Sequence, residues 1–262
     1  MSEISTNWIA YEQPLNERLR SFLRLEFLFS RHRHHRADES VWGVRATLQS
    51  LLDILTLLGR SDFKSELLKE LLEQHNLLSK LASRSDVDPE RLSKTLKEID
   101  EAVNGLQTIG SHFVSGALRD NEFLIAVLNR TTIPGGTCSF DVPILHHWLS
   151  QPYEVIKRDL DAWFADLRAF ERSINLYLKL LRAGTEPTQE RAPAGMFVYS
   201  PQGTFTLLRV LVPAQLHVYP EISAGRHRFS IRFMSGRDVN MRPSQAATDI
   251  TFKLHCLSLI HI

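Results

Sequence analysis

Cysteine is scarce in this sequence. The 262 residues include two cysteines, Cys138 and Cys256, which are too few for a disulfide framework or for a zinc site built from thiolates. This usage is typical of a reducing compartment. The N-terminal stretch MSEISTNWIAYEQP lacks the basic-then-apolar layout of a secretory signal, and no run of eighteen or more apolar residues occurs. We therefore expect a cytoplasmic protein.

The chain also has almost no net charge. Its 31 basic and 30 acidic side chains leave a formal charge of +1, so no global polyelectrolyte character points to nucleic acid or to a membrane surface. The imbalance is local instead. Between Ile222 and Arg242 one acid, Asp238, stands against five arginines, which are Arg226, Arg228, Arg232, Arg237 and Arg242.

Motifs for catalysis or for a bound cofactor are scarce as well. No phosphate-binding loop, metal cluster or separated catalytic triad is evident, so we expect neither an enzyme nor a cofactor. One thiol, one carboxylate and two imidazoles lie within ten residues, at Cys138, Asp141, His146 and His147. Neighbours in sequence seldom meet in the geometry of a nucleophile and its base. A helix explains the segment better, with Asp141 as its N-cap and Pro143 in its first turn.

Histidines cluster in the run RHRHHR, residues 31–36. Three imidazoles within four residues suggest a metal site, but no carboxylate or cysteine lies nearby at ligand spacing. The run follows a predicted helix and precedes a predicted cap at Asp38, a position where polar loops are common. We therefore predict a polar loop that holds no specific metal.

A strand pattern and a charge pattern coincide in residues 219–234, YPEISAGRHRFSIRFM. Side chains alternate faces along a strand, which predicts one apolar face and one arginine-rich face. The first carries His227, Phe229, Ile231 and Phe233, and the second Arg226, Arg228, Ser230 and Arg232. Neighbouring arginines repel one another, and a partner with carboxylates or phosphates would relieve that repulsion. A solvated strand face with acidic neighbours from other strands explains the pattern equally well.

Hydrophobic periodicity predicts helices up to about Gly184 and strands beyond it. The predicted helices begin at Leu15 and then cover residues 40–58, a hairpin within 67–106, residues 115–129 and one long helix over 153–182. We therefore predict an α+β fold. Its parts are an N-terminal segment 1–14 that adds a strand to the β domain, a helical domain 15–184, a linker 185–194 and an antiparallel β domain 195–256.

Four blocks of the sequence together resemble one family. They are YEQPLNERLRSFLRLEFL near the start, RSDFKSELLKEL at residues 60–71, IPGGTCSFDVPILHHWL in the middle and VYPEISAGRHRFSIRFM near the end. In this order they resemble the ZapD family of cytoplasmic cell-division proteins, which bind FtsZ, the tubulin-like GTPase of the division ring. The resemblance runs from about Tyr11 to Cys256. It implies a homodimer in which a helical domain is joined to a β domain.

The resemblance also implies a function without catalysis. A homodimer would bind the C-terminal segment of FtsZ, which mixes acidic and apolar residues, and would bundle FtsZ protofilaments and stabilise the division ring at mid-cell. The implied FtsZ-binding residues are Arg60, Arg228 and Arg232, with Arg226, Arg24 and His146 as further candidates. Glu122 stands where the family leads us to expect a basic residue, so no role is carried to it.

A nucleic-acid-binding module that uses the same arginines is the alternative from another class. Its binding would weaken steeply with salt and would not need FtsZ. The chain lacks the aromatic and basic stacking surface of single-strand binders and any recognised helix-turn-helix. We therefore favour the FtsZ-binding interpretation and expect neither nucleic acid nor membrane as a partner.

The last six residues, LSLIHI at 257–262, depart from the family pattern. Family members end near the FxLxC motif that here spans residues 252–256. The six residues resemble the translation of a sequencing-library adaptor, so we expect a non-native tail outside the fold. A genuine extension of the last strand is the alternative.

Overall fold

The computed structural model describes residues 7–59, 62–83, 87–110, 120–165, 167–200, 203–225, 228–235 and 240–258. Its contacts divide the chain into two compact units. The strand unit comprises Met1–Arg20 with Lys179–Ile262, and the helical unit comprises Ser21–Leu178. Helices followed by antiparallel sheets confirm the predicted α+β class.

Eight α-helices occur among the described residues. They are α1 Glu17–His35, α2 Val41–Leu58, α3 Phe63–Lys80, α4 Pro89–Gln107, α5 Glu122–Leu128, α6 Pro143–Leu149, α7 Tyr153–Phe164 and α8 Leu167–Ala183. The predicted helix over 115–129 is thus present in its second half, while residues 111–119 lie outside the described part of the chain.

Side-chain caps fix several helix starts. The Ser40 hydroxyl accepts the Gly43 N–H at 3.1 Å, and Gly59 is the C-cap of α2. Asp88 accepts the N–H groups of Glu90 and Arg91, and Pro89 follows it at the first helical position. These groups would otherwise be unsatisfied at a helix terminus. The sequence-based bounds of α2 are confirmed.

Helix α2 is long and apolar enough to cross a membrane by length and composition. Ten of its residues are buried within the protein, as they are in a core helix. Its hydroxyls are also satisfied inside the helix, since Thr47 and Ser50 donate to the carbonyls of Gly43 and Ala46. The amphipathic packing of α2 is therefore sufficient to explain its apolar composition.

The prediction of a polar loop at residues 31–36 is wrong, because α1 continues to His35. The reason is packing. Phe29 is fully buried, and the His32 ring, 1% exposed, stacks on Phe164 with centroids 3.9 Å apart. Three arginines of the run pair with acids of other helices, in the pairs Arg31–Asp53, Arg33–Glu171 and Arg36–Asp161. No group of three or more potential metal ligands occurs in the described part of the chain.

Burial of His32 makes the helical unit sensitive to acid. Burial lowers the pKa of His32 to about 4 from its usual 6.5, so the unfolded chain binds more protons than the folded chain between those values. Stability is therefore lost as the pH falls. Between about pH 7.5 and about pH 5 we expect a loss of about 2 kcal/mol in the free energy of unfolding from this group.

Urea unfolding monitored at the two pH values checks this expectation. The His32→Phe variant keeps an aromatic ring over Phe164 but cannot titrate, so its loss of stability on acidification should be smaller by that amount. His255 of the strand unit has a lowered pKa for the same reason, burial, and contributes equally to both proteins. An identical pH dependence in both would contradict the expectation.

Two further details of the helical prediction are wrong. The long helix predicted over 153–182 is two helices, because the Ala165 N–H donates to the Ala162 carbonyl in a 3₁₀-type bond and the α-helical ladder ends at Phe164. The Asp141 carboxylate does not cap α6, whose N-cap is Val142 without a side-chain bond. Asp141 instead accepts from the Cys138 thiol at 3.4 Å.

Seven strands occur among the described residues. They are β1 Trp8–Pro14, β2 Thr188–Ala192, β3 Met196–Tyr199, β4 Leu207–Pro213, β5 Val218–Ala224, β6 Phe229–Ser235 and β7 Ile250–Leu257. Two antiparallel sheets result, one of order β1-β4-β7-β2 and one of order β3-β6-β5. The inward side chains of both sheets form one core, in which the Phe233 and Phe252 rings lie 4.9 Å apart.

The first strand confirms the expectation that the N-terminal segment joins the β domain, since β1 pairs with β4. The predicted linker 185–194 is wrong in its centre. Residues 188–192 form β2 and pair with β7, from Thr188 opposite Leu254 to Ala192 opposite Ile250. The polar composition that predicted a linker is that of an edge strand with one exposed face.

The expectation that the tail lies outside the fold is wrong for its first two residues. Strand β7 extends to Leu257, which pairs with Leu207 and is fully buried, and Ser258 is 3% exposed. The Leu257 carbonyl accepts the Thr206 N–H at 2.9 Å. Residues 259–262 lie outside the described part of the chain.

Candidate functional site

Strand β6 has the two faces that the sequence predicted. Phe229, Ile231 and Phe233 are buried at 3%, 0% and 0% exposure, whereas Arg228 and Arg232 are exposed. Phe229 packs against Tyr199, and Phe233 against Phe252, in tilted ring pairs. Because this packing fixes the orientation of β6, Arg232 is held on the outer face of the three-stranded sheet, and Arg228 is exposed in the turn just before the strand.

Cross-strand pairing determines which side chains share the outer face of the sheet with Arg232. Arg232 lies between Met196 of β3 and Glu221 of β5, and Ser230 lies between Val198 and Ser223. Directly opposed residues of antiparallel strands project from the same face of a sheet. We name this surface the arginine face, consisting of Ser230 and Arg232 with Met196, Val198, Glu221 and Ser223, together with the exposed Arg228 of the turn that precedes β6.

The arginine face changes in character from one edge of the sheet to the other. On β3 it is apolar, because Met196 and Val198 are 39% and 50% exposed. On β6 it is basic, and on β5 it carries the Glu221 carboxylate. A surface with guanidinium donors beside exposed apolar groups suits a ligand that mixes carboxylates with apolar side chains.

The two arginines differ in their surroundings. The Arg232 Nη2 donates to Glu221 Oε2 at 2.9 Å, with side chains 53% and 46% exposed. For Arg228, no carboxylate contact occurs within the described part of the chain; its carbonyl accepts the Gly225 N–H at 2.9 Å, which closes the turn between β5 and β6. An acidic neighbour from another strand, the alternative interpretation of the pattern, is therefore present at Arg232.

Of the other four predicted site residues, two lie on helices and two are outside the described part of the chain. Arg24 is exposed on α1, and His146 is exposed on α6, both within the helical unit. Arg60 and Arg226 fall outside the described residues. The structure therefore places Arg232 on the outer face of β6 and Arg228 exposed in the turn before it, and places Arg24 and His146 on exposed helix surfaces.

The segment with Cys138, Asp141, His146 and His147 does not form a nucleophile–base pair in the described structure. The Cys138 thiol contacts a carboxylate, Asp141 Oδ2. The His147 Nε2 atom lies 3.4 Å from the side-chain amide of Gln151. The helical interpretation of this segment is thus supported, apart from its capping residue.

Sequence reasoning missed Glu221, Met196 and Val198 as members of the face. A signal for Glu221 was present, because a turn at Gly225 that pairs Ala224 with Phe229 places residue 221 opposite residue 232. No comparable signal existed for Met196 and Val198. Strand β3 is distant from β6 in sequence, and its register against β6 depends on the packing of the sheet.

Comparison with known proteins places the chain in a family. The model of the ZapD family, described as a cell division protein, matches residues 23–232. The chain belongs to the ZapD family. Among curated members, the cell division protein ZapD of Methylococcus capsulatus is 40% identical over 95% of this chain and 97% of its own length. The proteins of the same name from Azoarcus sp. and Aromatoleum aromaticum are 36% and 35% identical, over 94% and 96% of this chain and 98% of each relative.

Membership fixes a role in cell division and confirms the resemblance seen in the four sequence blocks. The family match ends at Arg232 and so includes the first four residues of β6 and the whole arginine face. The names of the relatives describe cell division proteins and refer to no catalysed reaction.

Proposed function

We propose that this protein binds the C-terminal segment of FtsZ on its arginine face and, as a homodimer, crosslinks FtsZ protofilaments. The observation that carries the proposal is that an exposed arginine and exposed apolar side chains lie on one sheet face, with Arg232 beside Met196 and Val198 opposite Ser230. An extended peptide that mixes acidic and apolar residues complements such a surface.

The chemistry of arginine supports this choice of ligand. A guanidinium presents five N–H donors in a planar fork that matches a carboxylate, and hydrogen bonds between ionised groups are about twice as strong as neutral ones. Arg228 and Arg232 are four residues apart, which on a strand is a separation of about 13 Å. Carboxylates at a similar separation on an extended peptide can contact both arginines.

Dimerisation is part of the proposed mechanism. One binding site per particle coats a filament, whereas joining two filaments requires two sites on the same particle. A homodimer supplies two identical sites. The protein would act in the cytoplasm at the division site at mid-cell, without a cofactor and without catalysis.

Co-sedimentation with FtsZ filaments tests the proposal. The protein should pellet with intact FtsZ and bundle its filaments, and should remain in the supernatant with FtsZ that lacks its C-terminal segment. Equal pelleting with both forms would contradict the proposal. Binding to DNA or RNA that weakens steeply with salt and needs no FtsZ would favour the nucleic-acid alternative instead.

A further inference from the structure

The arginine face includes a carboxylate, that of Glu221, directly beside Arg232. Glu221 lies directly opposite Arg232 in the register of β5 and β6, and its Oε2 accepts from Arg232 Nη2 at 2.9 Å. The same arginine would be needed by an acidic ligand. Glu221 therefore occupies the position at which a ligand carboxylate would otherwise contact Arg232.

We propose that Glu221 is an internal competitor that lowers the affinity of the arginine face for acidic peptides and tunes its specificity. This inference rests on the proposed function. A ligand carboxylate must either displace Glu221 from Arg232 or accept from the remaining N–H donors while a second negative charge lies nearby. Both outcomes weaken binding, the first through the lost ion pair and the second through repulsion between like charges.

The exposure of the pair sets the size of the effect. Both side chains are about half exposed, and an exposed ion pair is weak because water and salt screen it. The competition is therefore mild and reversible, and it lowers the affinity of the face without preventing binding. Glu221 would accordingly reduce the advantage that a strongly acidic peptide has over a less acidic one, because its repulsion grows with the charge of the peptide.

The position of Glu221 separates this role from a structural one. Its side chain lies on the outer face, opposite in direction to Ile222, which packs against the core of the strand unit. Strand β5 is held by backbone pairing with β6 along its whole length, from Val218 to Ala224. Removing the Glu221 charge should therefore leave the sheet and the unfolding temperature almost unchanged.

The test is the affinity of Glu221→Gln for a labelled FtsZ C-terminal peptide, measured by fluorescence anisotropy. We expect binding about two- to fivefold tighter than wild type at low salt, because the freed arginine and the lost negative charge both favour the peptide. The gain should shrink as salt is added. A peptide with one of its carboxylates replaced by an amide should gain less from the variant than the unmodified peptide, because Glu221 repels it less.

Asp249→Asn is a matched control in the same unit. Asp249 forms a comparable exposed ion pair with Arg191, on the other sheet, so its replacement also removes one negative charge and frees one arginine. Its amide oxygen can still accept the Ala194 N–H that Asp249 accepts in the wild type. We expect the affinity of this variant to stay at the wild-type value.

The outcomes separate the two proposals. If wild-type protein fails to bind the peptide, the proposed function is wrong. If wild-type protein binds and a folded Glu221→Gln variant binds equally or more weakly, the competitor role is wrong while the proposed function stands. An equal gain from Asp249→Asn would show a general charge effect and would also overturn the competitor role.

Discussion

Truncation after Cys256 is expected to destabilise the strand unit by at least about 3 kcal/mol. The change removes Leu257, whose side chain is fully buried and whose carbonyl accepts the Thr206 N–H. Replacing a buried leucine by alanine alone typically costs about 2–5 kcal/mol, from lost burial and the cavity left behind. The truncation adds the loss of backbone pairing with Leu207 at the end of β7.

Two matched variants make this measurement specific. Leu257→Ala keeps the backbone of β7 and should show most of the loss in chemical unfolding. Truncation after Ser258 keeps every described contact of the strand and so separates the contribution of Leu257 and Ser258 from that of residues 259–262. Wild-type stability after truncation at Cys256 would support the sequence-based expectation that the fold ends there, against the burial of Leu257.

The tail illustrates what a sequence resemblance cannot supply. The expectation of a non-native tail rested on where family members end and on a likeness to an adaptor sequence. Neither observation depends on whether the side chain that follows Cys256 is buried. Leu257 extends β7 by one residue, pairs with Leu207 and is fully buried, whether or not it belongs to the native protein.

Local patterns predicted most of the fold correctly. The bounds of α2 and the alternation of β6 each depend on neighbours within a few residues, although the N-cap of α2 is Ser40 and not the predicted Asp38. The errors arose where tertiary contacts decide. His32 is helical because its ring stacks on Phe164, more than a hundred residues away, and β2 is a strand because β7 offers it a pairing edge.

In the candidate site, too, the features set by local sequence were predicted and those set by tertiary contacts were not. The exposed arginines followed from strand alternation, which holds for any strand with one buried face. The geometry of the β5–β6 hairpin was sufficient to place Glu221 opposite Arg232, although Glu221 was not predicted. Placing Met196 and Val198 on the same face requires the order of all strands in the sheet. Composition along one strand therefore predicted the charge of the face, whereas its apolar border and its internal carboxylate required the neighbouring strands.

Reversing the charge of both exposed arginines of the arginine face should have the largest effect on function. In Arg228→Glu/Arg232→Glu we expect the affinity for the FtsZ C-terminal peptide to fall by a factor on the order of tens or more, and filament bundling to be lost. Hydrogen bonds to charged groups contribute about 1.5–3 kcal/mol each, whereas exposed ion pairs contribute less than about 1 kcal/mol. Reversal also replaces attraction by repulsion between like charges.

Folding should survive this double reversal, because both side chains are exposed. Glutamate at residue 232 would face Glu221 across the strands, a repulsion of at most about 1 kcal/mol. Phe229→Asp is the opposite control, since it introduces a charge into the core at a side chain 3% exposed and should unfold the strand unit. Circular dichroism and sedimentation of each variant separate loss of fold from loss of binding.

The conservative variant Arg228→Lys/Arg232→Lys distinguishes charge from geometry. Lysine keeps the positive charge but lacks the planar fork that binds a carboxylate through two hydrogen bonds. We expect peptide affinity between that of the wild type and that of the glutamate variant, with unchanged stability. Wild-type affinity in a folded, dimeric Arg228→Glu/Arg232→Glu protein would remove the arginine face from the mechanism, and with it the role proposed for Glu221.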